Sequence, residues 1–189
     1  MCGRYYVEID DEELRDICEA VREKQQEEDN QLEIKLSGEM FPTDIVPVQT
    51  GLGEYRPMVW GLRGFGKGPL INARSETVLI KQAFQESIVK RRCLIPASGY
   101  YEWKSDGNKK RKYKIYLSGK PIYLAGCYRQ EKGEPLPRFV ILTREAVHGL
   151  EEIHERMPVI IPKSRVKDWL YDSPDAMDEA LTGFNVCPA

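Results

Sequence analysis

Two hydrophobic rhythms run along the chain, and the switch between them lays out its elements. Residues 2–8 alternate loosely between apolar and polar side chains, which predicts a short strand at the very start. After Asp10-Asp11-Glu12-Glu13 the spacing lengthens, and Leu14, Ile17, Cys18 and Val21 recur every three or four residues. That stripe predicts an amphipathic helix, with acids in its first turn where the helix dipole favours them. It runs out in Gln25-Gln26-Glu27-Glu28-Asp29-Asn30, a polar and exposed segment. Residues 41–48 read as extended, bounded by Pro42 and Pro47. A strand over 56–61 then leads into a glycine-rich loop from Gly61 to Gly68. Residues 75 to about 87 predict a second helix, with Val78, Leu79, Ala83 and Phe84 on its apolar side.

From residue 93 onward short strands dominate. Segments 93–96, 100–103, 113–117 and 122–128 are apolar or alternating, and turn residues at 105–108 and 118–121 separate them. Further strands are expected at 139–143 and 158–161, a short helix or turn at 148–154, and helices at 166–171 and 175–181. There is no internal repeat and no interdomain linker. The pattern predicts an α+β fold, a mostly antiparallel β core with helices around it, over a single domain 1–189.

Composition narrows the function classes. The 189 residues are 41% hydrophobic and 31% charged, ordinary for a soluble globular protein. No apolar run reaches the length of a membrane span. No basic-then-apolar leader opens the chain, so a cytoplasmic location is expected. Cys2, Cys18, Cys93, Cys127 and Cys187 are odd in number and scattered, without a Cys-x-x-Cys pair. This argues against a disulfide framework and against zinc, and His148 and His154 have no partner at ligand spacing. No metal and no cofactor are expected. The net charge of −2 hides an asymmetry. Residues 1–54 carry five Lys/Arg against fifteen Asp/Glu, whereas the remainder carries twenty-three against fifteen. A near-neutral protein divided in this way can still present a basic face. Lys109-Lys110-Arg111-Lys112 is one candidate backbone contact for nucleic acid, though an exposed basic hairpin tip explains it equally well.

The chemistry-bearing residues are dispersed. Cys2 follows the initiator position, and removal of Met1 would give it a free amine beside its thiol, a 1,2-aminothiol that captures aldehydes. Taken alone, Cys2 reads as a small buried hydrophobe. Glu102 lies between Tyr101 and Trp103, so strand alternation puts it on the face opposite both aromatics. Asn72 and His154 are each unremarkable in isolation. Together, Met1-Cys2-Gly3-Arg4, Trp60-Gly61, Asn72-Ala73-Arg74-Ser75-Glu76, Gly99-Tyr100-Tyr101-Glu102-Trp103 and His154-Glu155-Arg156-Met157-Pro158 make an ordered set of five separated blocks.

On these blocks the chain resembles the SRAP (SOS response-associated peptidase) family from residue 2 to about residue 171. The resemblance implies a β-rich pseudo-barrel with flanking helices. It implies that the protein senses abasic sites in single-stranded DNA as a monomer near the nucleoid. The covalent crosslink would form through Cys2 after loss of Met1 and close as a thiazolidine. Asn72, Glu102 and His154 then fall on the family's catalytic positions, and Arg4, Arg74 and Arg156 on its DNA-contacting arginines. Trp60 and Phe65 are expected at the DNA. Phe65 is the only aromatic of the 61–69 loop, where many members carry a richer wedge. A Schiff-base stage would also permit a weak lyase activity. The competing expectation is a cysteine (auto)peptidase, with Cys2 as nucleophile and Glu102 or His154 as base.

Overall fold

A computed structural model of the chain describes residues 2–27, 32–64, 66, 68–107, 109–179 and 181–189. In chain order its elements are β1 (Tyr5–Val7), α1 (Glu12–Glu27), β2 (Gly38–Met40), β3 (Ile45–Gly51), β4 (Glu54–Trp60), β5 (Asn72–Arg74), α2 (Ser75–Val78), α3 (Gln85–Lys90), β6 (Arg92–Ala97), β7 (Gly99–Asp106), β8 (Lys109–Tyr116), β9 (Ile122–Arg129), β10 (Arg138–Glu145), β11 (Arg156–Pro158), β12 (Ile160–Ile161) and β13 (Asn185–Pro188). The α+β expectation holds. Strands predominate, and most pairings are antiparallel, with parallel exceptions where β10 meets β4 and β5.

The larger sheet closes on itself. β10 pairs with β4, β4 with β3, β3 with β6, β6 with β9, and β9 again with β10. The seam is narrow at β3 and β6, where Gln49 faces Leu94. Such closure removes free edges from the five ring strands. Beyond the ring, β10 carries β5 through Ile141↔Asn72 and β11 through Thr143↔Pro158. A second, five-stranded sheet runs in the order β13-β8-β7-β1-β2.

Two cores explain the apolar runs. Cys93, Ile95 and Ala97 of β6 join Tyr5, Trp60 and Phe139 in one core, and Leu94 joins Ala125, Val140 and Trp169 in the other. Strands buried on both faces lose the period-two polar alternation, which is why 93–96 and 122–128 read as nearly continuous hydrophobics. Helix α1 delivers Leu14, Ile17, Cys18 and Val21 to the first core, and its start is capped by Asp11, whose Oδ1 accepts from the Leu14 N–H at 3.1 Å.

The helix expected over 75–87 is instead two short helices. Val78, Phe84 and Ile88 are all buried in the second core, while Leu79 and Ile80 are exposed. The chain leaves the helix after Val78 and re-enters it at Gln85, and all three side chains still turn inward. The helices expected at 166–171 and 175–181 are single turns, at Asp168–Asp172 and Pro174–Asp178. The strand β13 has no counterpart in the sequence pattern, because most of its residues are exposed.

Gly99 shows where one side chain fixes the sheet. A Cβ there would lie 2.4 Å from the Ile115 carbonyl oxygen and 2.5 Å from the Tyr6 hydroxyl. The first contact is with backbone and cannot swing aside. Gly99→Ala is therefore expected to lower stability by about 2–3 kcal/mol, read as a fall in the denaturant midpoint with an unchanged m-value.

Candidate active site

Strand β1 sits between β2 and β7, with Tyr5 opposite both Met40 and Tyr100. The Tyr101 N–H donates to the Arg4 carbonyl at 2.9 Å, so the antiparallel ladder continues toward the chain start. This directs Cys2 along the strand that carries Glu102. Both are interior, Cys2 fully enclosed and Glu102 only 4% exposed. Alternation works as expected. Tyr100 and Glu102 point inward, and Tyr101 and Trp103 lie half-exposed on the other face.

Burial sets the electrostatics. It pushes the Glu102 carboxyl up to about 7, against the opposing pull of the positive amino terminus. Burial, reinforced by the Glu102 charge, also pushes the Cys2 thiol far above its usual range. Tyr100 is shifted up for the same reason, with Cys2 and Glu102 as further causes. Its hydroxyl is buried without a hydrogen-bond partner among the described residues. Sequence reading missed Tyr100, although its place two residues before Glu102 on the same face was the available signal.

His154 follows a short turn at Leu150–Glu152. Its Nδ1 accepts the Arg156 N–H at 2.9 Å, which requires that nitrogen to be unprotonated. Burial lowers its pKa, and the amino-terminal charge acts in the same sense. A neutral ring carrying its hydrogen on Nε2 satisfies both facts. Asn72 opens β5, with Nδ2 donating to the Ile141 carbonyl at 3.4 Å and Oδ1 buried without a partner among the described residues. Trp60 links this strand to the chain start. Its ring meets Tyr5 at 5.3 Å between centroids, and its indole N–H donates to the carbonyl of Ile71, the residue before Asn72.

The residues expected at DNA divide by exposure. Arg74 is exposed and has no ion-pair partner among the described residues. Arg4 is partly exposed, with its guanidinium 3.6 Å from the Phe41 ring centroid and 2.7 Å from Glu39. Trp60, by contrast, is completely buried and stacks on Phe139, so it is a core residue that supports β5 and presents no surface. Arg156 is 8% exposed and both of its terminal nitrogens are engaged, while its Nε is buried without a partner among the described residues. It donates to both Glu76 carboxylate oxygens, at 2.6 and 2.9 Å, and to the Thr143 carbonyl at 2.7 Å. Direct phosphate contact by Arg156 would require release of Glu76. Phe65 lies outside the described residues.

The Arg156–Glu76 pair joins the Asn72 block to the His154 block, a link that no local pattern implies. The Arg156 hydrogen bonds hold the Glu76 carboxyl below its usual range. Glu76→Gln is expected to cost roughly 2–3 kcal/mol, less than for a wholly buried pair because Glu76 is half-exposed. Thermal unfolding of the variant and of Arg156→Lys measures it.

The SOS response associated peptidase (SRAP) model matches residues 1–187. The chain belongs to the SRAP family. Among its relatives, the abasic site processing protein YoaM of Bacillus subtilis is 37% identical over 124 residues, spanning 61% of this chain and 55% of its own length. YedK of Escherichia coli, another abasic site processing protein, is 35% identical over 119 residues, spanning 60% and 54%. A yeast protein of the same description, YMR114C, is 28% identical over 192 residues, spanning 85% and 52%. The matched stretch spans about half the length of these curated relatives. In fold, a crystal structure from Bacteroides thetaiotaomicron superposes over 99% of this SRAP chain and 91% of its own, with a TM-score of 0.77 at 23% identity. Among the described residues no helix is long and apolar enough to cross a membrane.

Proposed function

We propose that the protein captures abasic sites in single-stranded DNA by forming a covalent thiazolidine through Cys2 once Met1 has been removed. The observation that carries this reading is the enclosed pairing of Cys2 with a carboxyl held near pH 7, Glu102. A group that titrates at the working pH serves as base in one step and acid in the next. The relatives' shared description as abasic site processing proteins supports the same substrate.

The chemistry follows the residue types. The amine of Cys2 attacks the aldehyde carbon of the ring-opened sugar while Glu102 accepts the amine proton. Glu102 then returns a proton to the departing hydroxyl, and water leaves to give the imine. The Cys2 thiol adds to the imine carbon, its proton passes to the imine nitrogen, and a five-membered ring closes. Amine and thiol share one residue, so closure is intramolecular and strongly favoured. His154 would donate from Nε2 to the sugar oxygen, and Asn72 would orient the sugar through its unpartnered Oδ1. Arg4 and Arg74 would hold flanking phosphates, with Arg156 positioning the His154 segment. A weak lyase activity would arise by β-elimination from the imine.

The peptidase alternative draws less support. A peptidase thiolate needs a lowered pKa, and burial raises that of Cys2. The deciding experiment incubates protein lacking Met1 with a single-stranded oligonucleotide bearing one abasic site. A complex that survives denaturation, with a mass equal to the two reactants less one water, is expected. Unmodified protein and DNA after prolonged incubation would overturn the proposal.

A further inference from the structure

The basic run at 109–112, left without a role by the capture chemistry, lies on β8. Its register places Lys110 opposite Ser105, Lys112 opposite Trp103 and Lys114 opposite Tyr101. Lysines two residues apart share one face of a strand, about 6.7 Å from one to the next. That face is the outer side of the five-stranded sheet, opposite the side that encloses Tyr100 and Glu102.

Lys112 and Lys114 lie over aromatic rings. The Lys112 Nζ is 3.8 Å from the Tyr101 ring centroid, and the Lys114 Nζ is 4.4 Å from that of Tyr6. Tyr6 and Tyr101 themselves meet at 5.0 Å. On the next strand Arg4 covers Phe41 and reaches toward Trp103, at 5.6 Å. Cations and ring faces thus interleave continuously from β8 to Arg4, two residues from Cys2. Carboxylates occupy the spaces between the cations. Glu39 bridges Arg4 and Lys112, and Glu8 sits 2.7 Å from Lys114. An anionic oxygen held between two cations beside aromatic faces is the arrangement a nucleotide backbone would take.

Resting on the capture reading, we propose that this outer face is the track for the single strand leading away from the captured abasic site. Phosphates follow Lys110, Lys112 and Lys114, and bases lie against Trp103 and Tyr101. Glu39 is a built-in competitor that a phosphate displaces. The track has a boundary. From Lys114 and Tyr116 a broad groove opens whose carboxylates, Asp10, Asp11 and Glu12 among them, outnumber its lysines Lys114, Lys120 and Lys163, and its net negative charge repels a phosphate chain. The contact is to backbone and ring faces, so it carries no base preference.

The test is binding of an undamaged, fluorescein-labelled single strand of mixed sequence, measured by anisotropy over a range of salt. Lys110→Ala/Lys112→Ala/Lys114→Ala is expected to bind about tenfold more weakly at low salt, with the salt slope reduced by roughly 2. Tyr101→Ala is expected to weaken binding by about tenfold with the slope unchanged. Glu39→Gln is expected to tighten it severalfold, a gain that a merely structural role would not produce. Lys110→Glu, at an exposed residue, guards against loss of fold in the triple variant and is also expected to bind more weakly. Wild-type affinity and slope in both lysine variants would overturn the track. Failure of the wild-type protein to form any adduct with abasic DNA would instead overturn the capture reading, and the two results are independent.

Discussion

Cys2→Ala in the protein lacking Met1 is expected to abolish the denaturation-resistant adduct with abasic DNA. The amine survives in this variant, so an imine still forms, but it hydrolyses on denaturation because no thiol closes the ring. Cys2→Ser sharpens the point. Its hydroxyl is a far poorer nucleophile than sulfur, so its adduct is expected to appear on a denaturing gel only after reduction with borohydride. The enclosed position matters for the choice of variant. Cys2 is fully buried, and a serine there brings a hydroxyl into the core at a cost of about 1–3 kcal/mol, whereas alanine adds no polar atom. The alanine variant thus isolates chemistry from folding. Protein that retains Met1 should behave like the alanine variant, because its amine is one residue away from the thiol and the five-membered ring is out of reach.

Glu102→Gln is expected to slow adduct formation by roughly 10²–10⁴-fold, the usual worth of a positioned general base. The pH profile identifies the cause. Glu102 is raised to about 7, so its carboxylate form appears as pH climbs through that value, and the wild-type rate should climb with it. The α-amine must also lose its proton before it can attack, which adds a second rise with pH. The glutamine variant should lose the first rise and keep the second. Stability moves in the opposite direction. A carboxyl whose folded pKa lies above its unfolded value stabilises the fold fully below about pH 4.5, and that contribution is lost as pH rises through about 7. Glutamine stays neutral throughout. Above pH 7 the slow variant should therefore unfold at a higher temperature than the fast wild type, which thermal melts at pH 6 and pH 8.5 would show.

Much of the site could be read before the fold was known, and the reason is particular to each residue. Strand alternation put Glu102 on the face opposite Tyr101 and Trp103, but it could not say which face is enclosed, and its role came from the family resemblance. Cys2 by position alone read as a small buried hydrophobe, and only the matching blocks gave its aminothiol a role. The Asn72 and His154 blocks were legible only through family resemblance, because neither residue type at its spacing dictates a role. Trp60 and Arg156 show the limit of that resemblance. Both lie in matching blocks, yet one is a core ring and the other is locked to Glu76, and nothing local in a sequence distinguishes a presented side chain from an enclosed one. The same limit governs the fold. Segments 93–96 and 122–128 were found as strands from apolar content, but ring closure depends on β9 meeting β10 and β3 meeting β6, pairings between segments far apart in the chain. The split of the 75–87 helix depends on which core receives Phe84. β13 went unseen because backbone pairing with β8, not a hydrophobic face, holds it in place.

The burial of Cys2 has a consequence for the protein's working lifetime. Peroxides and alkylating electrophiles react with thiolates, and they must reach the sulfur to do so. Here the thiol is both enclosed and held in its protonated form. On the proposed capture chemistry, in which the amine commits to the aldehyde before the sulfur adds, a thiol sheltered in this way would not be spent on the wrong electrophile before its substrate arrives.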